Sequence, residues 1–167
     1  SAPSSTAPGS KIPTPASGDY SVCSGYSWDY ESLRESFIAL PGLTLYNDGD
    51  AERFEKVIDS TIKRHRDAML CESDTPDSGL WFIRAIQQYV DYGADASSVW
   101  KKYGKWLVDI IESFLGNCRP SVHLHENGLL WAQKYGIALT WMNTYVDGSP
   151  VSERPGYQVE VNALWYN

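Results

Sequence analysis

From residue 31 to residue 115 the chain repeats one pattern: apolar side chains three or four positions apart, with short polar turns between the runs. That spacing places them on one side of a 3.6-residue helix, and each such stripe must be buried against a neighbour. The first stripe is Leu33, Phe37, Leu40 and Leu43. Pro41 and Gly42 inside it predict a kink or a division, because proline has no N–H and clashes with the preceding turn. Asp48 and Asp50 are both candidate N-caps for a second helix carrying Phe54, Val57, Ile58 and Ile62. Its basic end, Lys63, Arg64, His65 and Arg66, suits a helix C-terminus. A turn at 73–77 contains Pro76 and leads into a third stripe, Leu80, Ile83, Ile86 and Val90. Asp95 or Ser97 caps a fourth, with Val99, Tyr103, Trp106, Leu107, Ile110, Ile111 and Phe114, which Gly116 and Asn117 stop.

Beyond Pro120 the pattern loosens. SVHLHENG alternates like a strand or an extended loop, and GLLWAQKYGIALTWMN reads as a short helix or an irregular segment. DGSP at 147–150 is a turn and SERPG at 152–156 a loop. YQVEVNALWYN is apolar and helix-compatible, and it runs into the chain end without a cap. The expectation is six helical elements in antiparallel pairs, an all-α class, and a domain over 20–167 cut before it is complete. Residues 1–19, mostly Ser, Pro, Ala and Gly, bury too little apolar surface to offset their ordering entropy and read as a linker or disordered tail.

A net charge of -7 argues against nucleic acid and anionic membrane surfaces as partners, since both require clustered Lys and Arg. It suits a neutral ligand. Seven Trp and eleven Tyr fit either a large core with amphipathic edges or a sugar site, where flat rings meet the C–H faces of pyranoses. Cys23, Cys71 and Cys118 are odd in number and widely spaced, which points to a reducing compartment rather than a disulfide framework. No stretch of the sequence is long and apolar enough to span a membrane, and the N-terminus lacks the layout of a signal peptide.

Three groups of residues occur in a recognisable order. Gly25, Tyr26, Ser27 and Trp28 precede the run Leu33, Arg34, Glu35, Ser36, Phe37, Ile38, Ala39, Leu40, Pro41, Gly42, Leu43. Asp77, Ser78, Gly79, Leu80, Trp81, Phe82 and Ile83 follow. Last come Gly128, Leu129, Leu130, then Leu139, Thr140, Trp141, Met142, Asn143, and the terminal VEVNALWYN from Val159. Over roughly residues 20–167 this set resembles the amylo-α-1,6-glucosidase domain of glycogen debranching enzymes. There the same order reads G-Y-P-W-F, W-G-R-D-T-F-I-A-L-P-G-L, D-A-x-L-W-F, D-G-L-L, L-T-W-M-D and V-E-I-N-A-L-W-Y-N.

The resemblance implies an (α/α)6 barrel, of which six helical elements are about half. It implies a cytoplasmic inverting glycoside hydrolase of glycogen catabolism, with no cofactor and no metal, acting on α-1,6-linked glucose at the branch points of an α-glucan. Inversion needs a general acid on the leaving oxygen and a general base on a water across the ring. In the family the Asp of L-T-W-M-D looks like the acid; here that position is Asn143, which cannot donate a proton as an acid does. Glu126 and Glu160 are the nearest replacement carboxylates. The family's base lies beyond the end of this chain, so the chain alone is expected to be inactive. Arg34 and Glu35 stand where the family has an Arg–Asp pair, implied to bind hydroxyls of the terminal glucose; an Arg–Glu pair on a helix face is the plainer reading.

Other candidates carry two readings each. Asp77 is either a cleft carboxylate, binding sugar or orienting Arg34, or the N-cap of the third helix. Trp81 and Trp141 are stacking platforms or core residues, with Trp141 favoured because it sits beside the acid position in a loop. Glu160 is either catalytic or a first-turn carboxylate favoured by the helix dipole. His123 and His125 share one face of a strand beside Glu126, but a third spaced metal ligand is missing. Two rival functions stand beside hydrolysis: a non-catalytic carbohydrate-binding relic, motivated by Asn143, and a helical-hairpin interaction protein.

Overall fold

The computed structural model describes residues 20–23, 32–72 and 75–167. The expected tail at 1–19 and the motif at 25–28 lie outside the described residues. Within them the chain is mostly helical, with five α-helices and two small antiparallel strand pairs.

Helix α1 (Leu33–Pro41) buries Leu33, Phe37 and Leu40 as its stripe predicts. It is not divided at Pro41. It widens into a π-type turn over Gly42–Tyr46, where the Thr44 hydroxyl donates to the Leu40 carbonyl at 2.7 Å. Proline supplies no N–H for the ordinary ladder, so the hydrogen-bond register shifts instead of breaking. Helix α2 (Ala51–Asp67) is capped by Asp50, whose carboxylate accepts the Arg53 N–H at 2.8 Å. Its backbone leaves helical geometry at His65 and resumes in a second π-type turn, Ala68–Glu72.

Helix α3 (Ser78–Asp91) is the central element: α1, α4 and α5 all pack on it. Its buried face is therefore broader than the predicted stripe and includes Phe82, Ala85 and Tyr89, while Ile83 and Val90 are half-buried. Helix α4 (Ala96–Leu115) is capped by Asp95 through the Ser98 N–H at 2.8 Å. Lys102 on α4 reaches both Glu55 and Asp59 of α2 at 2.8 Å, and the Tyr89 and Tyr103 hydroxyls donate to the same two carboxylates. Burial, with Glu55 beside it, pushes the Tyr89 phenol up to about 12.

Beyond α4 the all-α expectation needs correcting. Strand β1 (Val122–Leu124) pairs antiparallel with β2 (Leu130–Ala132), and β3 (Tyr145–Val146) with β4 (Ser149–Pro150). Of the run 121–128 read as a strand or extended loop, Val122–Leu124 form a strand and a turn follows, and residues 128–143 contain no helix. The last element forms helix α5 (Val159–Tyr166). The described residues form no closed ring of helices.

Polar side chains dock α5 on β2. Asn162 both donates to and accepts from the Leu130 backbone, at 3.0 and 2.8 Å, much as a neighbouring strand would. Gln158 reaches the Ala132 carbonyl, and the Trp165 indole donates to Gly128 in the β1–β2 turn. Gly156 adds an antiparallel bridge to Ala132, with bonds of 2.9 and 3.0 Å. The polar residues of VEVNALW thus complete a sheet edge that three-residue strands cannot satisfy alone.

Candidate functional site

The segment 139–143 passes from core to surface within two residues. Leu139 and Thr140 are buried; Trp141 is 58% exposed, and Met142 and Asn143 are exposed too. An arginine–carboxylate pair holds it on each side.

The first pair is Arg34 with Asp77. Arg34 Nε donates to Asp77 Oδ2 at 2.7 Å and Nη2 to Oδ1 at 2.8 Å, a two-pronged geometry that fixes the guanidinium plane. Nη2 also donates to the Leu139 carbonyl at 3.2 Å. Both side chains are almost wholly enclosed. Asp77 does occupy the N-cap position of α3, but its side chain makes no capping bond. Of the readings open for Asp77, the geometry selects the one that orients Arg34. Glu35 follows Arg34 on α1, where adjacent residues diverge by about 100°, and it is Asp77 that fills the Arg34 fork.

The second pair is Arg154 with Glu160. Arg154 Nη1 bonds Glu160 Oε1, and Nη2 bonds Oε2 at 3.2 Å. Nη1 also donates to the Thr140 hydroxyl at 3.2 Å, and that oxygen accepts the Met142 N–H at 3.3 Å. Arg154 itself lies in the left-handed region, φ 48°, an uncommon conformation for a side chain with a Cβ. Its carbonyl accepts Gln158 Nε2 at 2.7 Å, and the Gly156 bridge follows two residues on. Arg154 carries no signal in the sequence, where Arg154, Pro155 and Gly156 read only as loop; what places it is a bridge to a distant strand.

The hydrogen bonds from Arg154 are the largest influence on Glu160 and hold its carboxyl below the usual carboxylate range; the indole of Trp141 contributes last. A carboxyl so held is an acceptor or a base near neutral pH. Arg154 thus engages both oxygens of Glu160, one of the two carboxylates expected to replace the acid. Glu126 is exposed in the β1–β2 turn and makes no hydrogen bond or ion pair with a described residue. Asn143 is likewise exposed and unbonded among the described residues. Trp81 is half-buried and packs on the core, so of the two tryptophans only Trp141 offers a ring to solvent.

His125 is engaged elsewhere: Nδ1 shares a hydrogen bond of 2.7 Å with the Tyr157 hydroxyl, and its ring stacks on Trp131. Among the described residues no group of three His, Cys, Asp or Glu is placed to hold a metal. A cavity of about 380 Å³ lies away from 139–143, between α3, α4 and α5, lined by Leu80, Ile83, Val90, Trp100 and Leu164 among others. Its wall is chiefly apolar, with Arg84, Gln87, Asp91 and Asn167 supplying its polar groups. No helix among the described residues is long and apolar enough to cross a membrane.

Over residues 12–167 the chain matches the family model for amylo-alpha-1,6-glucosidase, and it belongs to that family. No curated protein and no solved structure matches it.

Proposed function

We propose that residues 20–167 contribute a glucan-binding wall to a debranching glucosidase that hydrolyses α-1,6-linked glucose at branch points of a glycogen-like polymer. The wall would belong to an α/α barrel of the family type, acting in the cytoplasm. The observation that carries this reading is the segment 139–143, which is held from both sides and presents Trp141 to solvent, with the Glu160 carboxylate linked to it through Arg154. A flat ring with an adjacent acceptor suits a pyranose, whose C–H face stacks while its rim hydroxyls donate. Family membership supplies the substrate class.

In this reading Arg34 and Asp77 act from beneath, fixing the Leu139 carbonyl. Asn143 occupies the acid position and Glu126 remains the free carboxylate nearest in sequence. Glu35 and Trp81 have a supporting place on their helices. With an amide at the acid position, we expect no release of glucose from a branched limit dextrin by these residues alone. Titrating the chain with α-glucan oligosaccharides while following tryptophan emission tests the binding claim. Saturable quenching that Trp141→Ala abolishes is expected; a flat titration would sink the reading in favour of a helical interaction module.

A second reading, a binding relic without hydrolysis, is favoured by Asn143 and by the depressed Glu160. Asn143→Asp in the complete protein separates the two. If the amide is a lost acid, glucose release rises about 10²–10⁴-fold. If the rate stays unchanged, the acid lies elsewhere.

A further inference from the structure

We propose that Arg154 is a positioning residue which clasps the 140–142 segment to the first turn of α5 and so holds Trp141 as a stacking platform for a glucose unit. The inference rests on the glucan-binding reading for its ligand, but the clasp itself stands on geometry. Three features converge on Arg154. Its fork is shared between Glu160 on α5 and the Thr140 hydroxyl, so one side chain spans two segments that no backbone bond joins. Its backbone sits at φ 48° and is pinned by Gln158 through a 2.7 Å bond. The loop that carries it is anchored by the Gly156–Ala132 bridge.

Trp141 is carried on the segment that Arg154 grips. It is 58% exposed, and the residue before it is the one Arg154 grips. An exposed aromatic binds a sugar well only if its ring is already in place, because ordering it on binding costs affinity. Arg154 meets that requirement through Thr140, the residue before the ring. Lysine keeps the charge opposite Glu160 but lacks the planar fork needed to serve Thr140 as well. Methionine keeps the length and loses both contacts.

The test compares Arg154→Lys, Arg154→Met and Glu160→Gln, each with and without Trp141→Phe, so that Trp141 emission is obtained by difference. In the absence of sugar, Arg154→Met should shift Trp141 emission to the red and increase its quenching by acrylamide, with Arg154→Lys in between. With maltooligosaccharide as the probe, Arg154→Met should weaken binding about tenfold, with partial rescue by lysine. Glu160→Gln removes the charge from the other side and should loosen Trp141 in the same sense, so the test survives if Arg154→Met fails to fold. Trp141 emission and quenching unchanged in Arg154→Met and Glu160→Gln would overturn the proposal, even if their thermal stability falls. Loosened emission in a chain that binds no glucan would support the clasp and overturn the glucan reading alone.

Discussion

The two arginine–carboxylate pairs grip neighbouring residues of one segment from opposite environments. Arg34 and Asp77 are 4% and 5% exposed as side chains, whereas Arg154 and Glu160 are 29% and 30% exposed. Inside the fold a charge without its partner is costly, because little water is present to replace it. At the rim, water and salt substitute for a lost partner at small cost. The buried pair is therefore architecture, joining α1, the start of α3 and the Leu139 carbonyl. The rim pair contributes little to stability and is free to set the geometry of an exposed ring. Similar chemistry serves folding in one place and, on the proposed reading, recognition in the other.

The largest effect expected from breaking this contrast is at Asp77. Asp77→Ala leaves the Arg34 guanidinium buried without its carboxylate and should cost about 3–5 kcal/mol in urea unfolding. Replacing both partners together, Arg34→Met with Asp77→Leu, should recover much of that loss, since a buried pair and an apolar pair are often near equal. If Asp77→Ala is as stable as the parent, the buried pair is not architectural and the comparison collapses.

Gly156 comes next. It sits at φ 120°, a region that disfavours side chains, and a Cβ there would meet the Trp131 ring only at 3.8 Å, an ordinary contact. The cost of Gly156→Ala is therefore backbone strain rather than collision, about 1–3 kcal/mol. Because this bridge carries the Arg154 loop, the substitution should also loosen Trp141 emission. Asp77→Ala, if it still folds, should disturb Trp141 less than Gly156→Ala does, relative to the stability each loses. The reverse order would mean that the rim pair does not control the ring.

How much of this was legible in the sequence depends on distance along the chain. The helices of the first half follow from local rules: Asp50 and Asp95 cap as their positions suggest, and Leu33, Phe37, Phe54, Val57, Tyr103 and Phe114 are buried as their spacing requires. The second half is set by side chains bonding distant backbone. Asn162 completes β2, Arg34 holds Leu139, and the Tyr145 hydroxyl accepts the Ala138 N–H. No periodicity encodes such bonds, so residues 128–143 could be read as helix or irregular with equal warrant. The site divides the same way. Trp141 and Arg34 stand out by residue type and motif, and Asp77 as the partner of Arg34 was one of the open readings. Arg154 was hidden, because its role depends on a left-handed turn and on a bridge to Ala132.

The smallest effect, and the most direct test of the rim pair, is its response to acid. Glu160 titrates below its ordinary value of 4.5 in the folded chain, chiefly because Arg154 stabilises the carboxylate. A depressed folded value means that the unfolded chain takes up the proton first. The contribution is thus complete above the unfolded value, shrinks as pH falls below 4.5, and is lost once pH passes beneath the folded value. With nearly a third of each side chain in contact with water, the contribution is screened to less than about 1 kcal/mol. The stability difference between the parent chain and Glu160→Gln should therefore be small and level from about pH 6 to 8, and should close in acid. Trp141 emission should move over the same acid range, because protonating Glu160 weakens the fork by which Arg154 also grips Thr140. A stability difference that grows as pH falls would have the wrong sign for a carboxylate held ionised. It would place Arg154 outside any control of Glu160, leaving the exposed ring to be positioned by the buried pair alone.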